Sequence, residues 1–169
     1  GWQLEYCARD AKRRKLPLFF YVLGSAEYGL VSHEETVQNL TGLPLTFSGS
    51  YEDSMLSTLI AKAQADVIYF PAQGPETYSY TLSAALSTGL PIIAPGLGAF
   101  SERLAEYPHS CLISWDTPPA QVNNLLLQVI QASQHHPIGR GETKSSLAYF
   151  DMYRVAVDRP ASLDLVTLL

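Results

Sequence analysis

No stretch of this sequence approaches the roughly 20 consecutive apolar residues that a membrane-spanning helix needs. Its first fifteen residues, GWQLEYCARDAKRRK, hold no hydrophobic segment of the kind that marks a secretory leader. Cysteine is scarce. Cys7 and Cys111 are the two in the chain, far apart and without Cys-x-x-Cys spacing. That excludes a disulfide framework and predicts two free thiols in a reducing compartment. Charge is sparse, at 16% of residues, with a formal net charge of −5. A domain built to grip nucleic-acid phosphates would be basic, so no nucleic-acid partner is expected. There is no Asp-x-Asp pair, and His33, His109, His135 and His136 fall at no ligand spacing with carboxylates or cysteines. No metal site is therefore predicted. The one cationic run, Lys12-Arg13-Arg14-Lys15, reads as the solvated end of a helix, where cations complement the negative pole of the helix dipole.

The chain has 169 residues, of which 47% are hydrophobic. That is one domain with enough apolar material for a core. Short apolar runs alternate with amphipathic ones. Leu4, Cys7, Ala8 and Ala11 share one face of a helix over residues 1–15. LPLFFYVLG (16–24) is a buried strand. SHEETVQNL (32–40) opens with Ser32 and Glu35, the capping-box spacing of a helix start. LPLTFSG (43–49) is the second strand. Residues 52–64 set Met55, Leu56, Leu59, Ile60 and Ala63 on one helical face. Residues 66–70 are the third strand, 78–88 a helix with Leu82, Ala85 and Leu86 inward, and 90–95 the fourth strand. A short helix over 100–106 precedes the fifth strand, 111–115. A helix from Pro118 to about His135 buries Val122, Leu125, Leu126, Val129 and Ile130, with Asp116 or Thr117 as its cap. A last helix is expected over LAYFDMYRVAV (147–157), and no element is assigned from Pro160 onward.

Continuous apolar strands interleaved with amphipathic helices require a parallel sheet covered on both faces. The expectation is an α/β domain of Rossmann-like form, a doubly wound parallel sheet in a three-layer sandwich. Ligands of such folds bind at the carboxyl ends of the strands. The loops that matter are then Gly24-Ser25, Gly49-Ser50-Tyr51, Pro71 to Tyr80, Pro95 to Ser101 and Asp116-Thr117. Lys62 and Lys144, the lysines outside the basic run, lie in none of them, which argues against pyridoxal-phosphate chemistry.

Glu76 stands in the third of these loops, just before a helix whose first turn holds Ser79, Tyr80 and Thr81. A carboxylate there can serve simply as a dipole partner. The first-turn amides can also seat an anion. A carboxylate beside an anion seat suits transfer of a sugar from a nucleoside diphosphate: the anion seat stabilises the departing phosphate and the carboxylate orients sugar hydroxyls. Tyr51 can stack on a base or pack on the core. Gly96-Leu97-Gly98 reads as a tight turn that needs positive φ.

The stretch Glu76 to Ala94 resembles the donor-binding half of retaining group 1 glycosyltransferases with two Rossmann-like domains. That family includes bacterial lipopolysaccharide and surface-polysaccharide transferases. The pattern is a Glu, an aromatic, a small residue, an Ala, then Gly-x-Pro and an apolar strand. Here it falls on Glu76, Tyr78, Ser79, Ala85, Gly89, Pro91 and Ile92-Ile93-Ala94. Gly49, the run Ala65 to Pro71, and Gly96, Gly98 and Glu102 match it on either side. The resemblance covers about residues 1–132. It implies a hexosyltransferase-type enzyme whose nucleotide-sugar donor is a substrate and whose cofactor requirement is none. Glu76 is implied to be catalytic, orienting the donor sugar. Gly24, Gly49, Tyr51, Tyr78, Ser79, Tyr80, Thr81 and position 84 are implied to bind the donor.

The sequence departs from the pattern at Ala84, where the family has a second Glu that binds ribose hydroxyls. The family's diphosphate-gripping Arg and Lys lie before the segment that Gly1-Trp2 opens. Residues 1–169 are accordingly read as one nucleotide-sugar-binding domain, a fragment of a two-domain enzyme, with 136–169 as a C-terminal tail. The fragment is expected not to turn over alone. Its glycan or lipid-linked acceptor is expected on the missing N-terminal domain, and the whole enzyme in the cytoplasm with peripheral contact at the inner membrane. The alternatives are a catalytically degenerate scaffold or regulatory module, and half of a sugar-nucleotide epimerase.

Overall fold

The computed structural model describes residues 2–24, 40, 42–135 and 164–168. Helix α1 (Trp2–Arg14) leads into strand β1 (Leu18–Val22). Then come β2 (Leu45–Phe47), a single 3-10 turn (Asp53–Met55), α2 (Leu56–Ala63), β3 (Val67–Tyr69), α3 (Tyr80–Leu86), β4 (Ile92–Pro95), α4 (Ala99–Leu104), β5 (Ser110–Ile113), α5 (Pro119–His135) and β6 (Asp164–Leu168). The expected helices at 32–40 and 147–157 lie outside the described residues.

All six strands are parallel and form one sheet in the order β2-β1-β6-β3-β4-β5. Five strands were expected, and all five are present. The sixth comes from the tail, to which no element was assigned, and it takes the centre of the sheet. Its register runs Phe20↔Val166 on one side and Val67↔Val166 on the other. From this centre the chain steps outward to one edge through β1 and β2, and to the other through β3, β4 and β5. The reversal of direction falls at β6, between β1 and β3. That makes the fold α/β and Rossmann-like, doubly wound as expected.

The strands alternate between two cores. Leu18, Phe20, Val67, Tyr69 and Ile93 meet α1 and α5 through Leu4, Cys7, Ala8, Ala11, Val122, Leu126 and Ile130. Leu23, Ile68, Phe70, Ile92 and Ala94 meet the opposite layer, through Leu56, Ile60, Leu82, Ala85, Phe100 and Leu104. A period of two feeding two apolar faces explains why the strands read as continuous hydrophobic runs. Met55 is 43% exposed and not inward as expected. It ends a 3-10 turn, and three residues per turn rotate it off the apolar face of α2. The side chains of Asp116 and Thr117 do not cap α5. Ser114 Oγ donates to the Asp116 carboxylate and Thr117 Oγ1 donates to the Ser114 carbonyl, so both close the preceding turn.

A polar latch joins α1 to α5. The buried Asn123 amide donates to the Cys7 carbonyl and to Asp10 Oδ2, both at 2.9 Å. Arg13 and Arg14 pair with the two Asp10 oxygens, and Arg14 also reaches Asn124 Oδ1 at 2.6 Å. The basic run is thus half solvated and half structural. Burial pushes the Asp10 carboxyl up, but the hydrogen bonds from Asn123, Arg13 and Arg14 outweigh it and hold its pKa below the ordinary value. Burial, with the Asp10 charge second, pushes the Cys7 thiol up to about 12, which makes it inert as a nucleophile.

Because β6 carries ladders on both sides, a proline at its centre removes an N–H from the interior of the sheet. Val166→Pro is expected to lower stability by at least about 2 kcal/mol, the cost of leaving a buried partner unpaired. Urea unfolding measures this, and an unchanged midpoint would show that β6 does not hold the sheet together.

Candidate functional site

The chain reversal at β6 sets the carboxyl ends of β1 and β3 on either side of the position where doubly wound sheets bind ligands. Beyond β1, the backbones of Gly24 and Gly49 meet in an isolated antiparallel bridge, with Gly49 N–H donating to Gly24 O at 3.1 Å. Ser48 Oγ accepts from Gly24 N–H at 3.0 Å and closes the same corner. Both glycines have positive φ, at +135° and +80°. A side chain at either would be strained.

Beyond β3, residues Gln73 to Tyr78 form an exposed loop. Its backbone is nevertheless held tightly. Ala99 N–H donates to Glu76 O at 2.8 Å. Gly98, at φ +49°, lies so close that a Cβ there would stand 2.5 Å from Glu76 O and 3.2 Å from Pro75 Cβ. The glycine after β4 is therefore required by the loop after β3. The two strand-end loops are one packed unit, and the carboxylate of Glu76 stays exposed on it.

Ser79 ends the loop and starts α3. It is buried, with φ 60° and ψ 91°, a backbone conformation that a non-glycine residue adopts only when its surroundings impose it. Two contacts impose it here. Ser79 Oγ accepts from Leu82 N–H at 3.4 Å as the helix cap and lies 3.2 Å from Thr81 Oγ1. Arg103, on α4, donates to the carbonyls of Tyr78 at 2.7 Å and Ser79 at 2.9 Å, and to Ser83 Oγ at 2.8 Å. Its guanidinium also sits 4.8 Å from the centre of the Tyr78 ring. One cation thus ties together the loop, the first turns of α3 and an aromatic ring.

The residues singled out from the sequence separate into three groups. Gly24 and Gly49 touch each other. Glu76, Tyr78, Ser79, Tyr80 and Thr81 form one contiguous surface around the start of α3. Tyr51 and Ala84 pack against the apolar core beneath α2, α3 and α4. Tyr51 is half-buried, and burial followed by the Asp53 charge raises its phenol above the ordinary value. Its packing explains it without a base. The Ala84 methyl meets apolar neighbours, while its carbonyl accepts from Ser87 Oγ at 2.7 Å. The amides expected to face an anion were those around Ser79, Tyr80 and Thr81; the next one, Leu82 N–H, is taken by Ser79 Oγ. In the Gly96-Leu97-Gly98 turn, Gly98 has the expected positive φ and Gly96 does not. Arg103 was missed, although it is the one arginine between Arg14 and Arg140 and directly follows Glu102. That isolation was the available signal.

Among the described residues, no three His, Cys, Asp or Glu side chains gather closely enough to hold a metal ion. No described helix is long and apolar enough to cross a membrane. An open groove of about 500 Å³ lies across α1 and the start of α5, lined by Tyr6, Arg9, Asp10, Arg13, Pro118 and Pro119. Its cations are paired, Arg9 with Glu5 and Arg13 with Asp10, and none of the Glu76 loop residues lines it. What the Glu76 surface can do chemically is accept hydrogen bonds from hydroxyls at an exposed carboxylate and offer two aromatic rings beside it.

Comparison with known proteins gives no match to a family model, to a curated protein or to a solved structure.

Gly98→Ala forces a Cβ into the Glu76 backbone at a positive φ. The expected loss is about 2–3 kcal/mol from overpacking and backbone strain together. Thermal unfolding reads this loss, and amide exchange of Ala99 reads release of the Glu76 loop. A variant as stable and as protected as the parent would contradict the packed-loop geometry.

Proposed function

We propose that this chain is the donor-binding domain of a retaining glycosyltransferase and takes a nucleoside-diphosphate sugar at the carboxyl edge of its sheet. The observation that carries the reading is the fixed backbone of Glu76 beneath an exposed carboxylate, beside the reversal point of a doubly wound sheet. A carboxylate whose backbone is locked can orient sugar hydroxyls with little further ordering cost. Gly24 and Gly49 leave room for a nucleotide to approach the backbone, and the segment Ser79 to Thr81 borders the diphosphate. The acceptor, a glycan or a lipid-linked glycan, enters from a second domain. The resemblance of Glu76 to Ala94 to surface-polysaccharide transferases supports a role in bacterial polysaccharide assembly, in the cytoplasm and against the inner membrane.

Ala84 favours a second reading. It brings no polar group to the ribose-binding position of the family pattern, and its methyl packs against apolar neighbours. A domain that keeps the scaffold but not the ribose contact would be a catalytically silent module of a larger transferase.

Calorimetric titration with UDP, GDP and dTDP, bare and as their hexose conjugates, separates the two readings. In the donor reading one nucleotide series binds. Glu76→Gln then weakens the hexose conjugate by about tenfold, the worth of a hydrogen bond to a charged group, and leaves the bare diphosphate unchanged. If the parent chain binds no nucleotide and Ala84→Glu restores binding, the silent module is the correct reading. If neither binds, the nucleotide-sugar assignment falls.

A further inference from the structure

The two tyrosines that flank Ser79 are unusual for their exposure. Tyr78 is 54% exposed and Tyr80 81% exposed, yet their rings meet edge to face at 5.1 Å. A tyrosine ring normally contributes a large apolar area to a core. These two are held outward by their backbone. Ser79 between them is buried and pinned at a positive φ, and Arg103 grips the carbonyls of both Tyr78 and Ser79. Arg103 also stands against one side of the Tyr78 ring, so that ring is fixed from behind. The result is a Tyr78 ring that is already positioned, with fewer rotamers left to lose on binding, and a Tyr80 ring set against it.

Its surroundings select the ligand. The exposed neighbours in the loop are Gln73, Gly74, Pro75, Glu76 and Thr77, of which Gln73, Glu76 and Thr77 bring polar groups, and Arg103 stands behind Tyr78. The other large hydrophobics exposed among the described residues are Tyr6, Met55, Leu112 and Trp115. None belongs to this loop or to α3, so the patch lacks the aliphatic centre of a protein interface. Open aromatic faces suit the apolar C–H face of a pyranose, and carboxylate, amide and hydroxyl groups suit its hydroxyl rim.

We infer that Tyr78 and Tyr80 form a stacking platform for a neutral glycan, with Arg103 as the residue that positions it. Where the donor reading holds, this glycan is the acceptor, and the acceptor does not depend on the second domain alone. That last step rests on the proposed function; the platform itself does not.

Saturation-transfer NMR of the whole chain tests it, with methyl α-glucopyranoside, methyl α-mannopyranoside and methyl α-rhamnopyranoside in one arm and UDP and GDP in the other. Tyr80 is so exposed that its truncation leaves the fold intact, and far-UV circular dichroism checks this. The parent is expected to transfer saturation to at least one glycoside. Tyr80→Ala is expected to weaken that binding several-fold, up to about tenfold, and Tyr80→Phe to retain it. Glycoside binding without nucleotide binding would support the platform and remove the donor reading. Nucleotide binding without glycoside binding would do the reverse. Loss of nucleotide binding alone in Tyr80→Ala would assign the rings to a base and overturn the inference. Equal glycoside binding by the parent and Tyr80→Ala would overturn it too.

Discussion

The parallel ladder on either side of β6 is the constraint on which the rest of this fold depends. It joins the pair β1–β2 to the trio β3–β4–β5, and in the observed strand order no other ladder does so. With β6 in place, β1 and β3 stand two strand spacings apart, on the order of 10 Å. Their carboxyl-end loops then emerge at the same edge of the sheet, on either side of β6. The layers above and below secure the same arrangement. On one face α1 and α5 meet through the Asn123–Asp10–Arg13 latch, and on the other α2, α3 and α4 pack around Phe70 and Phe100, whose rings are 5.0 Å apart. Replacing the latch with apolar side chains would remove the asymmetry that fixes how the two helices meet, since apolar contact alone tolerates sliding.

At this edge, positioning is a backbone matter. Glu76 is held through its carbonyl by Ala99, and the approach of Gly98 leaves no room for the loop to shift inward. Arg103 does the same for Tyr78 and Ser79 through their carbonyls and for Ser83 through its hydroxyl. The side chains of Glu76, Tyr78 and Tyr80 are exposed on this held backbone, while Ser79 and Ser83 spend their hydroxyls on it. Strain at Ser79 is consistent with that division: the conformation that exposes both tyrosines is unfavourable for serine, and the cap and the arginine hold it.

The rhythm of apolar strands and amphipathic helices made the sheet and its two covered faces legible from the sequence, because each strand alternates between two hydrophobic layers. The tight turn at Gly98 was legible because a glycine after a strand has few other uses. β6 was not. Asp164 to Leu168 is five residues long, stands apart from the regular βα spacing, and owes its place to pairing with strands 99 and 146 residues away in sequence. Arg103 was hidden for a related reason. Its partners are backbone carbonyls 24 and 25 residues away, and no side-chain pattern reports a carbonyl. Tyr51 and Ala84 both pack in part against the core, which for Tyr51 is one of the two roles the sequence left open.

The account places ligand recognition at the carboxyl edge of the sheet, around a carboxylate with a locked backbone. Amide chemical-shift mapping of the uniformly labelled chain, during addition of UDP-, GDP- and dTDP-hexoses, tests that placement most directly. The account predicts that one of them shifts Gly24, Gly49, Glu76 to Thr81 and Gly98 together, with the Asn123 latch unmoved. Shifts confined to Tyr6, Arg9 and Arg13 along the α1–α5 groove, or none at saturating donor, would contradict it.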